Sequence, residues 1–226
     1  MCDVIFEDNQ ILVAVKPQNI PTQADNSGDT DFLNMLKDYL VKKYNKPGQA
    51  YLGLVHRLDR PTGGVMVFAK TSKSADRLCA QIKTDEFEKT YFTVVSGTPR
   101  LRQNRLVNYL KKDEKNNKVK ICTQYEDGAK EAILDYQVLE TVNDKSLVKI
   151  QLQTGRSHQI RVQMANIGCP VVNDVKYGNS SQRGNLALWA TVLKFTHPVT
   201  KQRLTYKVIP PTDLAPWKDF NVEKYL

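Results

Sequence analysis

Short runs of β-branched and aliphatic residues, each closed by a polar turn, dominate this sequence and limit the folds that it can adopt. Runs of this length and composition are typical of β-strands. They fall at Val4–Phe6, Ile11–Val15, Leu52–Leu58, Val65–Ala69, Lys89–Ser96, Arg105–Lys111, Val119–Thr123, Ala132–Leu139, Leu147–Leu152, Leu186–Phe195 and Arg203–Val208. Because they do not alternate strictly with helices, they predict a mostly antiparallel sheet.

Three segments instead carry apolar residues at helical spacing. They predict helices over Phe32–Leu40 and Ala75–Ile82, and a short helix through Asn166 that Ser157 caps. We therefore expect an α+β fold with a mostly antiparallel mixed sheet and a few flanking helices. No repeat, low-complexity segment or linker divides the sequence, which predicts one catalytic domain over residues 1–226.

The charge balance favours a polyanionic partner. The chain has 33 Lys and Arg against 24 Asp and Glu, a net charge of +9 at pH 7, and nucleic acid is the usual partner of such a surplus. Four dispersed cysteines indicate reduced thiols rather than a disulfide scaffold. No apolar run approaches the roughly 20 residues that cross a bilayer, and the N-terminus resembles no signal or transit peptide. We expect a cytoplasmic, soluble monomer without membrane contacts.

A cluster of charge lies between two of the apolar runs, in His56-Arg57-Leu58-Asp59-Arg60-Pro61-Thr62-Gly63-Gly64. Asp59 stands between Arg57 and Arg60 at a strand end, and such turns are where a rigid scaffold presents reactive groups. The neighbouring guanidinium groups are expected to keep its carboxylate ionised. A salt bridge that merely shapes the turn would explain the same residues.

A second dense segment reads Thr154-Gly155-Arg156-Ser157-His158-Gln159-Ile160-Arg161. In the predicted helix His158 and Arg161 are three positions apart and share a face, whereas Ile160 lies on an apolar side. A polar cluster at a helix N-terminus is suited to a phosphate or a carboxylate. The alternative is a capped helix whose arginines project into solvent.

Together and in this order, these segments resemble the RluA family of pseudouridine synthases, and the resemblance extends over nearly the whole chain. Its further motifs are Ile11–Pro17, Glu88–Tyr91, the residues Gly168, Pro170, Asp174 and Tyr177-Gly178, and the strand Leu186–Ala190 up to His197-Pro198. Gly64 in place of Ser and Gln163 in place of His depart from the common pattern, and we expect both to affect recognition. The motifs begin close to the first residue, so we expect a stand-alone catalytic domain without the S4-type RNA-binding domain of many relatives.

The resemblance implies a role for each motif residue. Asp59 is the essential catalytic aspartate, and Arg161 pairs with it and keeps its carboxylate oriented. Tyr91 stacks against the target uracil, Ile160 makes an apolar contact with the base, and Arg57 enters the nucleic-acid stack that the base has left. Three further motif residues are expected to bind the RNA: His56, Arg60 and His158.

The implied reaction is the isomerisation of a uridine in structured ribosomal or transfer RNA. It conserves atoms and needs no cofactor, and the sequence lacks a P-loop and a Gly-x-Gly-x-x-Gly fingerprint. The three histidines lack zinc-site spacing, so no metal is expected. Asp59 could attack as a nucleophile or remove a ribose proton. A base in a stem must first be extruded.

Two other functions fit parts of the sequence. A glycoside hydrolase or nucleosidase cleaves the same type of bond but usually employs two carboxylates, and no second one stands near Asp59. A silent RNA-binding module on the same fold would have altered the Asp59, Tyr91 or Arg161 positions, and all three are intact. Candidate phosphate binders lie in a basic run that a solvated hairpin explains better: Lys111, Lys112, Lys115, Lys118 and Lys120.

Overall fold

Strands dominate the computed structural model, which describes residues 2–84, 86–178 and 183–226. These residues form eleven strands: β1 Asp3–Glu7, β2 Ile11–Lys16, β3 Gly53–Leu54, β4 Gly63–Ala69, β5 Glu88–Ser96, β6 Gln103–Asp113, β7 Lys118–Cys122, β8 Lys130–Val142, β9 Lys145–Leu152, β10 Leu188–Thr196 and β11 Arg203–Lys207. The three α-helices are α1 Phe32–Tyr44, α2 Ser72–Ile82 and α3 Gln159–Asn166. The predicted α+β class is confirmed. No helix of the described residues has the length and apolar character to cross a bilayer.

Contacts between Cα atoms divide the chain into two compact units. The first comprises Met1–Glu88 with Ala190–Val208, and the second comprises Lys89–Trp189 with Ile209–Leu226. A single catalytic domain over residues 1–226 stays a prediction.

The first unit is built around β4, which is buried at every residue. Strands β1, β2, β4, β10 and β11 follow one another as hydrogen-bonded neighbours, and the short β3 also pairs with β4. The pairs β1–β2, β2–β4, β3–β4 and β10–β11 are antiparallel. Asp31 caps α1 and Thr71 caps α2 by accepting backbone N–H groups, as expected for these residue types. A rigid, fully buried strand therefore follows the Asp59 turn.

The second unit carries strands in the order β5-β9-β8-β6-β7, all antiparallel. Leu110 and Val119 of the β6–β7 hairpin pack with Ala132 and Val162, so α3 lies against one face of these strands. Alternate residues of the strands line this face, because successive side chains of a strand point to opposite sides. Near the C-terminus, Trp217 and Phe220 are buried.

Two element predictions are wrong in detail. The run Leu52–Leu58 forms only the two-residue β3, because side chains take the place of strand pairing beyond Leu54. Ser157 does not cap α3: the N-cap residue is His158 in the left-handed region, with φ 53°, and makes no side-chain cap hydrogen bond. Instead the Gln159 side chain reaches back and accepts from the backbone N–H of Arg156 at 2.9 Å.

Candidate active site

Asp59 lies in a tight turn that leads directly into β4. Its carbonyl oxygen accepts a hydrogen bond from the backbone N–H of Thr62 at 2.9 Å. The residue is partly exposed, whereas Leu58 before it and Thr62 after it are buried. The turn therefore holds one accessible residue between two buried anchors.

Three side chains, from the last residue of β2 and the segment that follows it, hold the backbone of this turn. The hydroxyl of Thr22 donates to the carbonyl of Leu58 at 2.7 Å. The Lys16 Nζ donates to the carbonyl of Arg60 at 3.2 Å, and the Gln18 amide donates to that of Pro61 at 3.0 Å. The backbone on both sides of Asp59 is thus fixed by side chains, which is how a scaffold orients a reactive group.

The Arg60 side chain closes the same cradle from outside. Its guanidinium donates to the carbonyl of Asn19 at 3.2 Å and to the hydroxyl of Ser27 at 3.1 Å, and it pairs with the carboxylate of Asp29. The Arg60 side chain is 42% exposed, so these contacts are solvent-screened and contribute little free energy. Their effect is to attach the loop around Ser27 to the Asp59 turn.

Lys16 is a fully buried lysine beneath the turn. Besides Arg60 it donates to the carbonyls of Pro17 at 2.8 Å and Ile20 at 2.7 Å. Burial lowers its pKa, the negative charge of Asp59 raises it and the positive charge of Arg60 lowers it, leaving a pKa of about 7. Three acceptors match the three donors of an ammonium group.

Replacing Lys16 by Met is expected to remove a distinctive pH dependence of folding. The pKa of Lys16 is about 7 in the folded chain against the ordinary 10.5, so between these values the unfolded chain binds more protons and the free energy of unfolding rises with pH. Urea denaturation at the two ends of this window should show a larger rise in the wild type and in the surface control Lys73→Met than in Lys16→Met. An equal rise in all three proteins would contradict the assignment. Turnover should also fall in Lys16→Met, because the turn loses the donor at the carbonyl of Arg60.

Gly64 is required for packing, and an effect of this position on recognition stays a prediction. Its φ is +124°, a conformation that side chains disfavour. A Cβ atom there would lie 2.2 Å from the carbonyl oxygen of Ala190. The backbone of β10 occupies the place that a serine side chain would need.

The Gly64→Ser change is expected to destabilise the chain by at least about 2 kcal/mol, because backbone must move to admit the side chain. Gly128→Ala is the matched control: Gly128 has a φ of +76° but open space around its Cβ position. Thermal unfolding of both variants separates the clash from backbone strain. Equal losses of stability in the two variants would show that the close approach to Ala190 does not contribute to the effect of Gly64→Ser.

His56 and Arg57 precede the turn in different settings. The Val67 backbone N–H donates to Nε2 of His56 at 3.1 Å, and the ring lies edge-on to Phe87 at 5.3 Å. The His56 ring thus accepts a backbone N–H of β4 that a paired strand would otherwise accept. The Arg57 side chain is exposed, and within the described part of the chain it forms no hydrogen bond or ion pair.

Tyr91 lies on β5 in the second unit. It is 6% exposed and stands opposite Ile150 of β9. Lys89, two positions earlier, shares its side of the strand. Burial lowers the pKa of the Lys89 ammonium, and sequence reasoning gave this residue no role of its own.

Arg161 forms a buried ion pair with Asp174. Its Nε and Nη2 atoms donate to the two carboxylate oxygens, each at 2.7 Å, and the side chains are only 6% and 0% exposed. Burial by itself would raise the pKa of the Asp174 carboxyl, but the hydrogen bonds and charge of Arg161 and two backbone N–H donors hold it below its ordinary value. Asp174 belonged to the family motif, yet its pairing was not foreseen. The pairing of Arg161 with Asp59 stays a prediction.

Tyr177 contacts the polar residues at the start of α3. Its hydroxyl lies 2.6 Å from Nδ1 of His158 and accepts from the backbone N–H of Val119 at 2.8 Å. The Arg161 guanidinium lies over its ring, 5.1 Å from the centroid, within the range of a cation–π contact. His158 and Arg161 therefore share a face, as predicted. Ile160 is 4% exposed.

Gln163 has a structural role, and an effect of this second departure from the family pattern on recognition stays a prediction. The side chain is fully buried. Its amide donates to the side chain of Asn108 at 2.8 Å and to the carbonyls of Ala132 at 3.2 Å and Leu106 at 3.3 Å. It ties α3 to β6 and β8.

The basic hairpin is largely a solvated one. Lys112 forms an ion pair with Glu114 at 2.5 Å. Glu126 forms ion pairs with Lys120 at 3.1 Å and with Lys111 at 3.8 Å. Such exposed pairs contribute little. Among the described residues, no three His, Cys, Asp or Glu side chains gather as a metal ion would require.

Comparison with known proteins decides the family. A model of the family described as RNA pseudouridylate synthase matches residues 10–166. The chain belongs to this family. The predicted enzyme class, an RNA pseudouridine synthase and hence an isomerase, is confirmed at the level of the family.

Relatives in bacteria and a human structure agree with this placement. The chain is 32% identical over 218 residues to the uncharacterized RNA pseudouridine synthase YlyB of Bacillus subtilis, covering 94% of this chain and 70% of the relative. It is 31% identical over 221 residues to ribosomal large subunit pseudouridine synthase C of Buchnera aphidicola, covering 94% and 68%. The structure of human RNA Pseudouridylate Synthase Domain Containing 4 matches with a TM-score of 0.77 and 22% identity over 92% of this chain and 88% of that one. The last likeness shows the fold.

Proposed function

We propose that this chain isomerises specific uridines of ribosomal or transfer RNA to pseudouridine without a cofactor, with Asp59 as the essential catalytic residue. The observation that carries the proposal is the grip on the Asp59 turn by Thr22, Lys16 and Gln18, in a chain of the RNA pseudouridylate synthase family. A turn that only connected two strands would not need three side-chain donors at its carbonyls, one of them from a fully buried lysine.

The reaction needs a carboxylate beside the anomeric carbon. The bond from ribose C1′ to uracil N1 breaks, a bond from C1′ to C5 forms, the hydrogen on C5 leaves as a proton and N1 takes one up. Asp59 either attacks C1′ while the uracil departs with the electron pair, and is released when C5 bonds to C1′, or removes a ribose proton as the uracil departs and returns it when C5 bonds to C1′. Both routes require the ionised carboxylate of Asp59.

The proposal also assigns the groups that act on the base. We assign Tyr91 to stacking on uracil and to the proton transfer at C5, and Ile160 to an apolar contact with the ring. Arg161 is the third catalytic residue. His56, Arg60 and His158 are assigned to RNA binding. Their contacts within the chain support an effect through the element that each holds: β4, the loop at Asn19 and the start of α3.

Tritium release from RNA labelled at uracil C5 tests the function. The wild type should release tritium from ribosomal or transfer RNA without producing free uracil. Free uracil in proportion to the tritium would make the chain a nucleosidase. RNA binding without release from either pool would make it a silent binding module.

Arg57→Ala tests base flipping. An exposed guanidinium can fill the gap left by an extruded base, and extrusion costs a few kcal/mol only where the base is stacked and paired. Turnover should therefore fall roughly 10-fold more on a stem uridine than on the same uridine in single-stranded RNA. Parallel time courses on the two RNAs measure this ratio. Equal losses would remove the wedge role, and Arg100→Ala, another exposed arginine, controls for charge.

The RNA target is proposed by likeness. Relatives of this chain are named ribosomal large subunit pseudouridine synthases C and D, which makes ribosomal RNA the first substrate to try, followed by transfer RNA. We assign the chain to the RluA-type branch on its motifs. A cytoplasmic location and a monomeric state stay predictions that fractionation and sedimentation would test.

A further inference from the structure

Lys89 is a cation in a row of leucines. Directly paired residues of neighbouring strands lie side by side on one face of a sheet. Lys89 pairs with Leu152 of β9, which pairs with Leu134 of β8, which pairs with Leu106 of β6. Leu134 and Leu106 are 0% and 9% exposed. The ammonium group thus stands at the edge of an apolar face.

No group in the described part of the chain offsets this charge. Among residues 2–84, 86–178 and 183–226, the Lys89 ammonium forms neither a hydrogen bond nor an ion pair, and burial is the cause of its lowered pKa. A partly desolvated charge without a partner is unfavourable, and groups perturbed in this way concentrate at functional sites.

The Lys89 ammonium lies against the Gly155 backbone. A Cβ atom on Gly155 would lie 3.2 Å from the Lys89 Nζ, closer than most side chains approach, so a glycine at this position lets the ammonium come this near. Gly155 opens the Gly155–Arg161 segment that leads into α3. Tyr91 stands two positions along β5, about 6.8 Å away along the strand.

We propose that Lys89, at the Gly155 backbone, forms a subsite for a phosphate group of the RNA, next to the uridine that Tyr91 receives. The proposal rests on the proposed function for the identity of the substrate. A base and the phosphate of the same nucleotide are separated on the scale of the Lys89–Tyr91 spacing, so one nucleotide reaches both. A compact ammonium binds phosphate as a point charge and needs no second donor. The charge that destabilises the free protein thereby contributes to the binding of substrate.

Binding of mononucleotides tests the subsite without any turnover. The two uridine monophosphates and inorganic phosphate should each bind the wild type on the order of 10-fold more tightly than uridine does. They should also bind the wild type on the order of 10-fold more tightly than they bind Lys89→Met. Lys149→Met is the matched control, because Lys149 is also a partly buried sheet lysine without a partner among the described residues, on the opposite face of β9. NMR titration of labelled lysines reports each site. A phosphate preference that survives in Lys89→Met would overturn the proposal, and so would its absence from the wild type.

The unliganded variants give a second readout. Lys89→Met should melt at a higher temperature than the wild type, because it removes an uncompensated charge from an apolar face while keeping the aliphatic stem. A merely structural lysine would lower the melting temperature when replaced, which would contradict the subsite.

Modified RNA separates this proposal from the proposed function. Replacing the phosphate that flanks the target uridine by an uncharged methylphosphonate should raise KM on the order of 10-fold for the wild type and leave Lys89→Met unchanged. Equal penalties in both proteins would overturn the subsite while turnover stood. Absence of turnover in the wild type would overturn the function, and the mononucleotide preference would still decide the subsite.

Discussion

Asp59→Asn is expected to lower turnover about a thousandfold or more while RNA affinity and folding stay near wild type. The amide has the shape of the carboxylate but can neither attack C1′ nor accept a ribose proton, so both chemical routes are lost. Tritium release measured beside RNA binding and thermal unfolding separates the three quantities. Residual turnover above a tenth of the wild-type rate would show that another group performs the chemistry.

The structure explains why folding should survive this change. The side chains of Thr22, Lys16 and Gln18 hold the carbonyls of Leu58, Arg60 and Pro61, and the carbonyl of Asp59 itself closes the turn. All of these bonds are made by main-chain atoms of the turn. Asp29→Asn is a suitable control, because it removes an exposed carboxylate that faces Arg60 in the same cradle and should leave most of the turnover.

The strands of this chain could be predicted from the sequence because their side-chain pattern is local. Alternating or continuous apolar runs bounded by polar turns placed β5, β6, β8 and β9 within a few residues of their observed bounds. The bounds were less certain, since the pairing of β8 runs on to Val142 after a register shift near Val138. A bulge depends on the partner strand, and no local pattern reports it.

The prediction failed where a side chain replaced a strand partner. The apolar run Leu52–Leu58 has strand composition, but only Gly53 and Leu54 pair with β4. Beyond them the Val67 N–H donates to the imidazole of His56, and Thr22 bonds both the N–H and the carbonyl of Leu58. A tertiary contact over more than thirty positions of sequence overrode the local preference.

In the candidate site, too, the local pattern could be predicted from the sequence and the tertiary contacts could not. The Asp59 turn and the Arg161 helix were located by motif, because a dense polar segment between apolar runs is a local signal. The partners of these residues were not located, since Lys16 is 44 positions from Arg60 and Asp174 is 13 from Arg161. Nothing in the sequence distinguishes a lysine that will be fully buried from one on the surface except its place at the end of an apolar strand.

Asp174→Asn is expected to have the largest effect on folding. Removing one partner of a buried pair leaves an uncompensated charge, which destabilises by roughly 3–5 kcal/mol. The Arg161 and Asp174 side chains are 6% and 0% exposed, so water cannot replace the lost carboxylate. Urea denaturation measures the loss. The exposed pair of Arg105 and Asp135, also bound through two hydrogen bonds, is the control, and Asp135→Asn should have a far smaller effect.

A double replacement separates the folding role of this pair from its role in catalysis. Arg161→Met with Asp174→Leu replaces two buried charges by apolar side chains, and such replacements are often neutral or stabilising. The double variant should therefore regain most of the stability that Asp174→Asn loses. Its turnover should stay as low as that of Arg161→Met, because Arg161 is assigned to the reaction itself. Recovered turnover alongside recovered stability would mean that the pair only holds α3 in place, and the catalytic assignment of Arg161 would be withdrawn.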